Sequence, residues 1–290
     1  MKIILGTRGS QLAVRQAETL AAYLSTLGYV IEWKHFTTSG DRWLSGTLDK
    51  VCGSGFFTRE LEASLLSREV DVIVHSFKDV SIERPDGIVM ACVPERVDPG
   101  DLLIMRLDAP NNPTIGTSSE RRLRFVSKLL PNANFTWIRG SVPTRIRQVR
   151  SGVLRGEPLH GTILAIAGIK RLGIDISDMN VRIFKPSELL PAPAQGAILV
   201  ETRRENRYLL KILANFHHRL TYRLVSIERA VLAGIGGGCQ QPLGALAVYE
   251  PDGQIYLRAS YIVGDRHIWV EDRNADGKVL VDNILQKLIL

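Results

Sequence analysis

Short apolar runs alternate with helical periodicities along roughly the first 210 residues, and that alternation predicts a layered α/β fold. Residues 2–6 read as a strand. Ser10 can cap a helix reaching to about residue 27, with Leu12, Ala17, Leu20, Ala21 and Leu24 on one face and Gly28 as the stop. Residues 29–36 read as a second strand, with Ile31 and Trp33 on one face. The polar, glycine-rich stretch 38–55 predicts a loop. Phe57, Leu61 and Leu65 mark the next helix, and residues 71–75 a buried strand. A second set follows: strand 114–117, helix 119–130, strand 135–138, helix 142–151 and strand 162–166. Two such sets predict two similar α/β domains, with mostly parallel sheets covered by helices on both faces.

Beyond about residue 215 the pattern changes. A helix over 221–233 leads into Gly234-Ile235-Gly236-Gly237-Gly238. Strands follow at 244–249, 254–263 and 267–271, with a helix at 277–290. This is the pattern of a small α+β domain of about 75 residues.

Composition narrows the class. A chain of 290 residues, 45% hydrophobic and 23% charged, is of the globular type and has room for about two or three domains. No stretch reaches the roughly 18–20 uninterrupted apolar residues of a membrane helix. The N-terminal apolar run ends at Arg8, too short for a signal-peptide core, so a cytoplasmic location is expected. Cys52, Cys92 and Cys239 are odd in number, far apart and without a CxxC pair, which argues against a disulfide framework or a zinc site. The biased quantity is charge: 37 Lys and Arg against 30 Asp and Glu give a formal +7 and point to anionic partners. Arg121, Arg122, Arg124, Lys128, Arg139, Arg145, Arg147, Arg150 and Arg155 cluster in one stretch. All but one are arginine, whose planar fork favours oriented recognition of carboxylate or phosphate.

In open α/β sheets, ligands bind beyond the carboxyl ends of strands. Thr7-Arg8-Gly9-Ser10 and Ser76-Phe77-Lys78-Asp79 each follow a predicted strand. Gly116-Thr117-Ser118-Ser119-Glu120-Arg121-Arg122 and Arg139-Gly140-Ser141-Val142-Pro143-Thr144-Arg145 follow strands and open helices. A hydroxyl at one such junction is usually only a cap. Four together, each with arginine or lysine, point to a polyanionic ligand in a cleft between two domains. Arg121, Arg122, Arg139 and Arg145 are therefore assigned to function, and Arg124, Lys128 and Arg150 to a solvated face. Asp79 reads either as a cap or surface ion pair, or as a carboxylate kept ionised by cations and able to stabilise positive charge or move a proton. Cys239 reads either as a small buried residue near a turn or as a thiol for covalent attachment, and the residues alone favour the first. Cys52 reads as incidental, Cys92 as core and His75 as a satisfied core histidine. His217-His218 lack acidic or thiol partners at ligand spacing, so no metal is expected.

Taken together these residues resemble the porphobilinogen deaminase (hydroxymethylbilane synthase) family over almost the whole chain. The resemblance is carried by Thr7-Arg8-Gly9-Ser10-Gln11-Leu12-Ala13, Val74-His75-Ser76-Phe77-Lys78-Asp79-Val80, Gly116-Thr117-Ser118-Ser119 with Arg121-Arg122, and Ile138-Arg139-Gly140-Ser141-Val142 with Thr144-Arg145. It continues through residues 164–173, Gln195-Gly196-Ala197 and Gly237-Gly238-Cys239-Gln240. The resemblance implies two periplasmic-binding-protein-like α/β domains and a small α+β C-terminal domain. The divisions expected are 1–96 with 190–212 (catalytic aspartate and lid loop), 97–189 (arginine-rich, carboxylate-binding) and 213–290 (attachment cysteine). It implies an enzyme that joins four porphobilinogen molecules head to tail, with loss of ammonia, into the linear tetrapyrrole hydroxymethylbilane on a dipyrromethane cofactor. Cys239 would carry that cofactor through a thioether, reversing the reading from the residues alone, and Asp79 would be catalytic. Lys78, Thr117, Ser118, Ser119, Arg121, Arg122, Arg139, Gly140 and Ser141 would hold the cofactor. Arg8, Ser10, Gln16, Arg145, Arg171 and Gln195 would bind substrate. The implied protein is a cytoplasmic monomer with a small-molecule substrate and neither nucleic-acid nor membrane partners.

The chain departs from the family pattern at several points. Ser54 stands in the usual lysine position of the lid loop, Ser81 follows Lys78-Asp79-Val80 where proline is usual, and Gly100 replaces an arginine. Ala194 stands for the first glycine of Gly-Gln-Gly-Ala, and Glu120 for an apolar residue. These leave Asp79 and Cys239 in place. They raise the alternative of a slow or non-catalytic oligopyrrole-binding paralogue. A solute-binding module on the same fold ranks last.

Overall fold

The computed structural model describes residues 1–38, 58–238 and 241–289. Ser54, Cys52, Cys239 and the expected loop 38–55, apart from Thr38, lie outside the described residues. The strands are β1 (Lys2–Arg8), β2 (Val30–Phe36), β3 (Val72–Ser76) and β4 (Ile88–Cys92), then β5 (Asp101–Met105), β6 (Thr114–Gly116) and β7 (Asn134–Thr136). After the hairpin β8 (Val153–Leu154) and β9 (Glu157–Pro158) come β10 (Gly161–Ala165), β11 (Asn180–Ile183) and β12 (Ile198–Arg203). The last three are β13 (Leu243–Tyr249), β14 (Ile255–Val263) and β15 (Arg266–Asn274). The chain divides into two compact units, Met1–Val97 with Gly196–Arg223, and Asp98–Gln195 with Leu224–Leu290.

The first unit is built on a sheet of order β2-β1-β3-β12-β4. Ser10 accepts a hydrogen bond from the Ala13 N–H and starts the helix Gln11–Thr26 as expected. That helix lays Ala17, Leu20, Ala21 and Leu24 over Ile3, Leu5, Val72 and Val74. The helix Arg59–Leu66 packs Leu61 and Leu65 against Val70, Ile73 and Ile88. Each such large apolar side chain removed from water contributes about 1.5–3 kcal/mol before entropy is counted. Cys92 is core, as read, and burial pushes its thiol up to about 12.

The second unit has a sheet of order β11-β5-β10-β6-β7 and a separate antiparallel sheet β13-β14-β15. The helix Gly277–Ile289 buries Leu280, Val281, Ile284 and Leu288. Ile262 of β14 shares a core with Leu103, Ile115, Phe125 and Ile163 of the larger sheet and its helix, so the C-terminal strands are fastened within this unit. Glu228, fully buried, adds a polar link by accepting the N–H groups of Ala194 (2.8 Å) and Ala247 (3.0 Å). Ala194 is left-handed (φ +60), a conformation that glycine adopts without penalty; here the Glu228 bond helps hold an alanine in it.

The expectation of mostly parallel sheets is corrected. β1 runs parallel to β2 and β3, but β12 is antiparallel to β3 and β4. β10 runs parallel to β6 but antiparallel to β5. Alternating strand and helix signals fix the layers but not strand direction. β4, β5, β8, β9, β11 and β12 have no counterpart among the expected strands, although Leu102-Leu103-Ile104 and Ile198-Leu199-Val200 are apolar runs of strand type.

Asp101 is the polar centre of the second unit. Arg122 donates Nε and Nη2 to its Oδ1 (3.1 and 2.7 Å), Arg121 pairs with Oδ2 at 2.7 Å, and Gln195 Nε2 donates to Oδ1 at 2.9 Å. All four side chains are buried. Burial pushes the Asp101 carboxyl up, but the two guanidinium groups and the Gln195 amide outweigh it and hold the pKa at about 2. A pKa depressed on folding gives stability that is full above the ordinary value of 3.8 and lost as pH falls through about 2. Asp101 should therefore contribute about 2–3 kcal/mol that disappears between roughly pH 4 and pH 2, visible in denaturant melts across that range. Asp101→Asn leaves two buried guanidinium groups without their counter-ion and should cost about 3–5 kcal/mol at neutral pH, with most of that acid-dependent step gone.

Candidate functional site

Adjacent parallel strands end on the same side of a sheet, and the turns that leave them share that edge. β10, β6 and β7 are such a set. Thr117-Ser118-Ser119 leaves β6 and opens the helix Glu120–Leu129, with Ser119 Oγ accepting the Arg122 N–H. Arg139-Gly140-Ser141 follows β7 and opens Val142–Ser151, with Ser141 Oγ accepting the Thr144 N–H. The helix Ile166–Leu172, which carries Arg171, follows β10. Gly140 is required in its turn, because φ is +107 and a Cβ would lie 2.9 Å from Thr144 Cγ2.

Arg145 joins two of these turns. Its Nε donates to Gly140 O at 3.0 Å and its Nη2 to Ser118 Oγ at 3.3 Å. No carboxylate pairs with it among the described residues. Burial, and then the like charges of Arg122 and Arg139, pull its pKa down to about 10. Arg171 is brought to about 10 by burial. Even so, both remain cationic at neutral pH. Arg145 is a held positive charge among positive neighbours, an arrangement that a bound carboxylate would relieve.

The first unit repeats the layout. β1 and β3 are parallel neighbours, so Arg8-Gly9-Ser10 and Ser76-Phe77-Lys78-Asp79 leave the same edge. Gln16 Nε2 donates to Ser76 Oγ at 2.8 Å and ties the first helix to the second turn. Lys78 and Asp79 lie half-buried in the short 3-10 turn Phe77–Asp79.

The expected residues thus fall into three groups. Arg8, Ser10, Lys78 and Asp79 gather at the strand ends of the first unit. Thr117, Ser118, Ser119, Arg139, Gly140, Ser141 and Arg145 gather at those of the second, with Arg171 one helix away. Arg121, Arg122, Gln16 and Gln195, expected to touch ligand, are buried and bonded to the protein. Arg121 Nη1 donates to Leu190 O and Arg122 Nη1 to Ile163 O, Gln195 also donates to Pro99 O, and Gln16 meets Ser76. The pairs Arg124–Glu120 and Arg150–Asp178 form the solvated face foreseen, and Glu120 has gained a partner in place of apolar contact. At Gly100 a Cβ would meet Ile166 Cδ1 at 2.9 Å and Asp98 Oδ1 at 3.1 Å, so a larger residue there requires those side-chain ends to shift. Sequence reasoning missed Asp101, Glu201 and Arg84. The usable signal was a lone acid abutting an apolar run, as in Asp101-Leu102-Leu103-Ile104 and Ile198-Leu199-Val200-Glu201.

Comparison with known proteins bears on the same residues. The family model described as "Porphobilinogen deaminase, dipyromethane cofactor binding domain" matches residues 3–211, and "Porphobilinogen deaminase, C-terminal domain" matches 222–281. The chain is 40% identical over 282 residues to the "Probable porphobilinogen deaminase" of Methanocaldococcus jannaschii, covering 96% of this chain and 92% of that one. It is 36% identical over 291 residues to the porphobilinogen deaminase of Bacillus mycoides, covering 98% and 89%. Among solved structures, lactococcal OpuAC complexed with glycine betaine is similar at a TM-score of 0.40 and 10% identity, over 83% of this chain and 91% of that one, too slight a likeness to carry an inference. Matched by family models over nearly its whole length and by curated relatives from end to end, the chain belongs to the porphobilinogen deaminase family.

Proposed function

We propose that this chain joins four porphobilinogen molecules head to tail, with loss of ammonia, into hydroxymethylbilane, and that Asp79 is its catalytic carboxylate. The observation that carries the ligand chemistry is Arg145, a cation without a carboxylate partner among the described residues, bonded to both turns that open the arginine-rich helices. Porphobilinogen brings an acetate and a propionate, and a dipyrromethane carries the same groups twice. A half-buried cation among hydroxyls and helix N-termini fits such carboxylates. Arg139, Arg145, Ser118, Ser119 and Ser141 would hold them, with Thr117 as support and Cys239 as the attachment point. The dipyrromethane, when bound, supplies the free pyrrole carbon to which the first substrate is joined.

Asp79 acts on charge. Loss of ammonia from porphobilinogen leaves a methylene-pyrrolenine cation, and a carboxylate accepting the pyrrole N–H stabilises it. The same carboxylate takes and passes on the proton released as the new carbon–carbon bond forms. Arg8 pairs with substrate carboxylates and Lys78 with those of the cofactor. Arg121, Arg122 and Gln195 act through Asp101, by fixing the helix that Ser119 opens, and Gln16 acts through Ser76. The division into 1–96 with 190–212, 97–189 and 213–290 belongs to this reading and is supported by the separate β13-β14-β15 sheet. No helix among the described residues is long and apolar enough to cross a membrane. A cytoplasmic monomer without nucleic-acid or membrane partners completes the proposal.

Three measurements test it. Intact-protein mass spectra should show the added mass of two linked pyrroles, absent in Cys239→Ala, and a ladder of one to four further pyrroles after porphobilinogen is added. A loaded protein that forms no ladder would instead fit the non-catalytic paralogue. Asp79→Asn should lower turnover by about 10²–10⁴-fold with circular dichroism and loaded mass unchanged. Arg145→Leu should reduce the loaded fraction or stall the ladder, while melts stay within about 1 kcal/mol of the parent because no ion pair is broken.

A further inference from the structure

The buried carboxylate of Glu201 lies at both ends of the segment that presents Asp79, bonded to Arg84 after it and beside His75 before it. Glu201 lies on β12, 1% exposed, at a shift of register between Val200 and Glu201 in the pairing with β4. Such bulges re-aim side chains. On the β3 side Leu199 is opposite His75, so Glu201 is its diagonal neighbour on the same face. His75 Nε2 lies 3.3 Å from Glu201 Oε2. Arg84 reaches the same carboxylate from the other direction, donating Nε to Oε1 at 2.9 Å and Nη2 to Oε2 at 2.6 Å. Its remaining arm, Nη1, donates to Glu62 Oε1 of the helix Arg59–Leu66 at 2.7 Å.

His75 is the residue before Ser76, and Arg84 follows Asp79 by five positions. Residues 76–83, with Lys78 and Asp79 among them, are therefore a loop whose two feet stand on one buried carboxylate. Between the feet the backbone is held by the Phe77 N–H to Ala197 O (3.1 Å) and the Val80 N–H to Phe77 O (3.3 Å). Ser81 lies in this loop and does not fix its own φ as a proline would. A bidentate arginine–carboxylate pair is directional and, when mostly buried, little screened by salt, so it can supply the missing restraint.

We propose that Glu201 and Arg84 are positioning residues that clamp the base of the 76–83 loop and so fix where Asp79 is presented. The inference rests on Asp79 as the catalytic carboxylate, but the clamp is measurable without turnover.

The test uses the loaded full-length enzyme and the variants Arg84→Met, Arg84→Lys, Glu201→Gln and Glu62→Gln. Arg84→Met and Glu201→Gln should lower kcat by about 10- to 100-fold, as expected for a misplaced catalytic group, with KM within about 2-fold and loaded mass unchanged. Amide hydrogen exchange should quicken across residues 77–83 and stay at parental rates in β1. Arg84→Lys keeps charge but loses the fork, and should recover part of both losses. Glu62→Gln keeps the Glu201 pair and should stay near parental in kcat and in exchange. Unchanged exchange across 77–83 in Arg84→Met overturns the proposal, and so does exchange that quickens equally in 77–83 and β1. If Asp79→Asn retains turnover while the exchange result holds, the catalytic reading of Asp79 fails and the clamp stands.

Discussion

The second unit is organised around one buried carboxylate. Asp101 begins β5, and through Arg121, Arg122 and Gln195 it fixes the helix Glu120–Leu129 and the turn at 192–195 to the head of that strand. The two guanidinium groups reach onward to the carbonyls of Leu190 and Ile163. Buried charges need partners on every side, and so a group of this kind tolerates few alternative packings. The Ser119 cap and the Ser118 hydroxyl that Arg145 touches both lead directly into the helix that Asp101 anchors.

A common principle links the two units. Each places its polar turns by putting parallel strands side by side, and each secures those turns from behind with a buried acid that meets arginine. Asp101 does this in one unit and Glu201 in the other. The burial that penalises an isolated acid is what makes these pairs selective. For Glu201, burial raises the pKa, while His75 and Arg84 lower it by more. The exposed arginine pairs, such as Arg150 with Asp178, lack that leverage and contribute little.

Much of this was legible in the sequence. Ser10, Ser119 and Ser141 announced their helices, and the helix Val142–Ser151 was bounded to the residue, because capping is local chemistry. The strand-end turns were found for the same reason. What was missed is non-local. Nothing near Arg121 or Arg122 reveals that Asp101, about twenty positions upstream, takes them up, so both read as ligand-binding arginines. Gln16 and Gln195 likewise meet partners far away in the chain, Ser76 and Asp101. Strand direction also escaped, since β12 enters the first sheet from more than a hundred residues beyond β3.

That late entry governs the order in which the molecule can assemble. β12 lies between β3 and β4, and β4 has no other strand neighbour. Until residue 203 has been synthesised, β3 keeps an open edge and β4 has nothing to pair with. All five strands of the other large sheet lie within residues 101–183, so that sheet can close while the one begun earlier is still incomplete. The nascent N-terminal segment thus waits with an unpaired strand edge, the feature most prone to wrong pairing, and long-range closure of this sort slows folding.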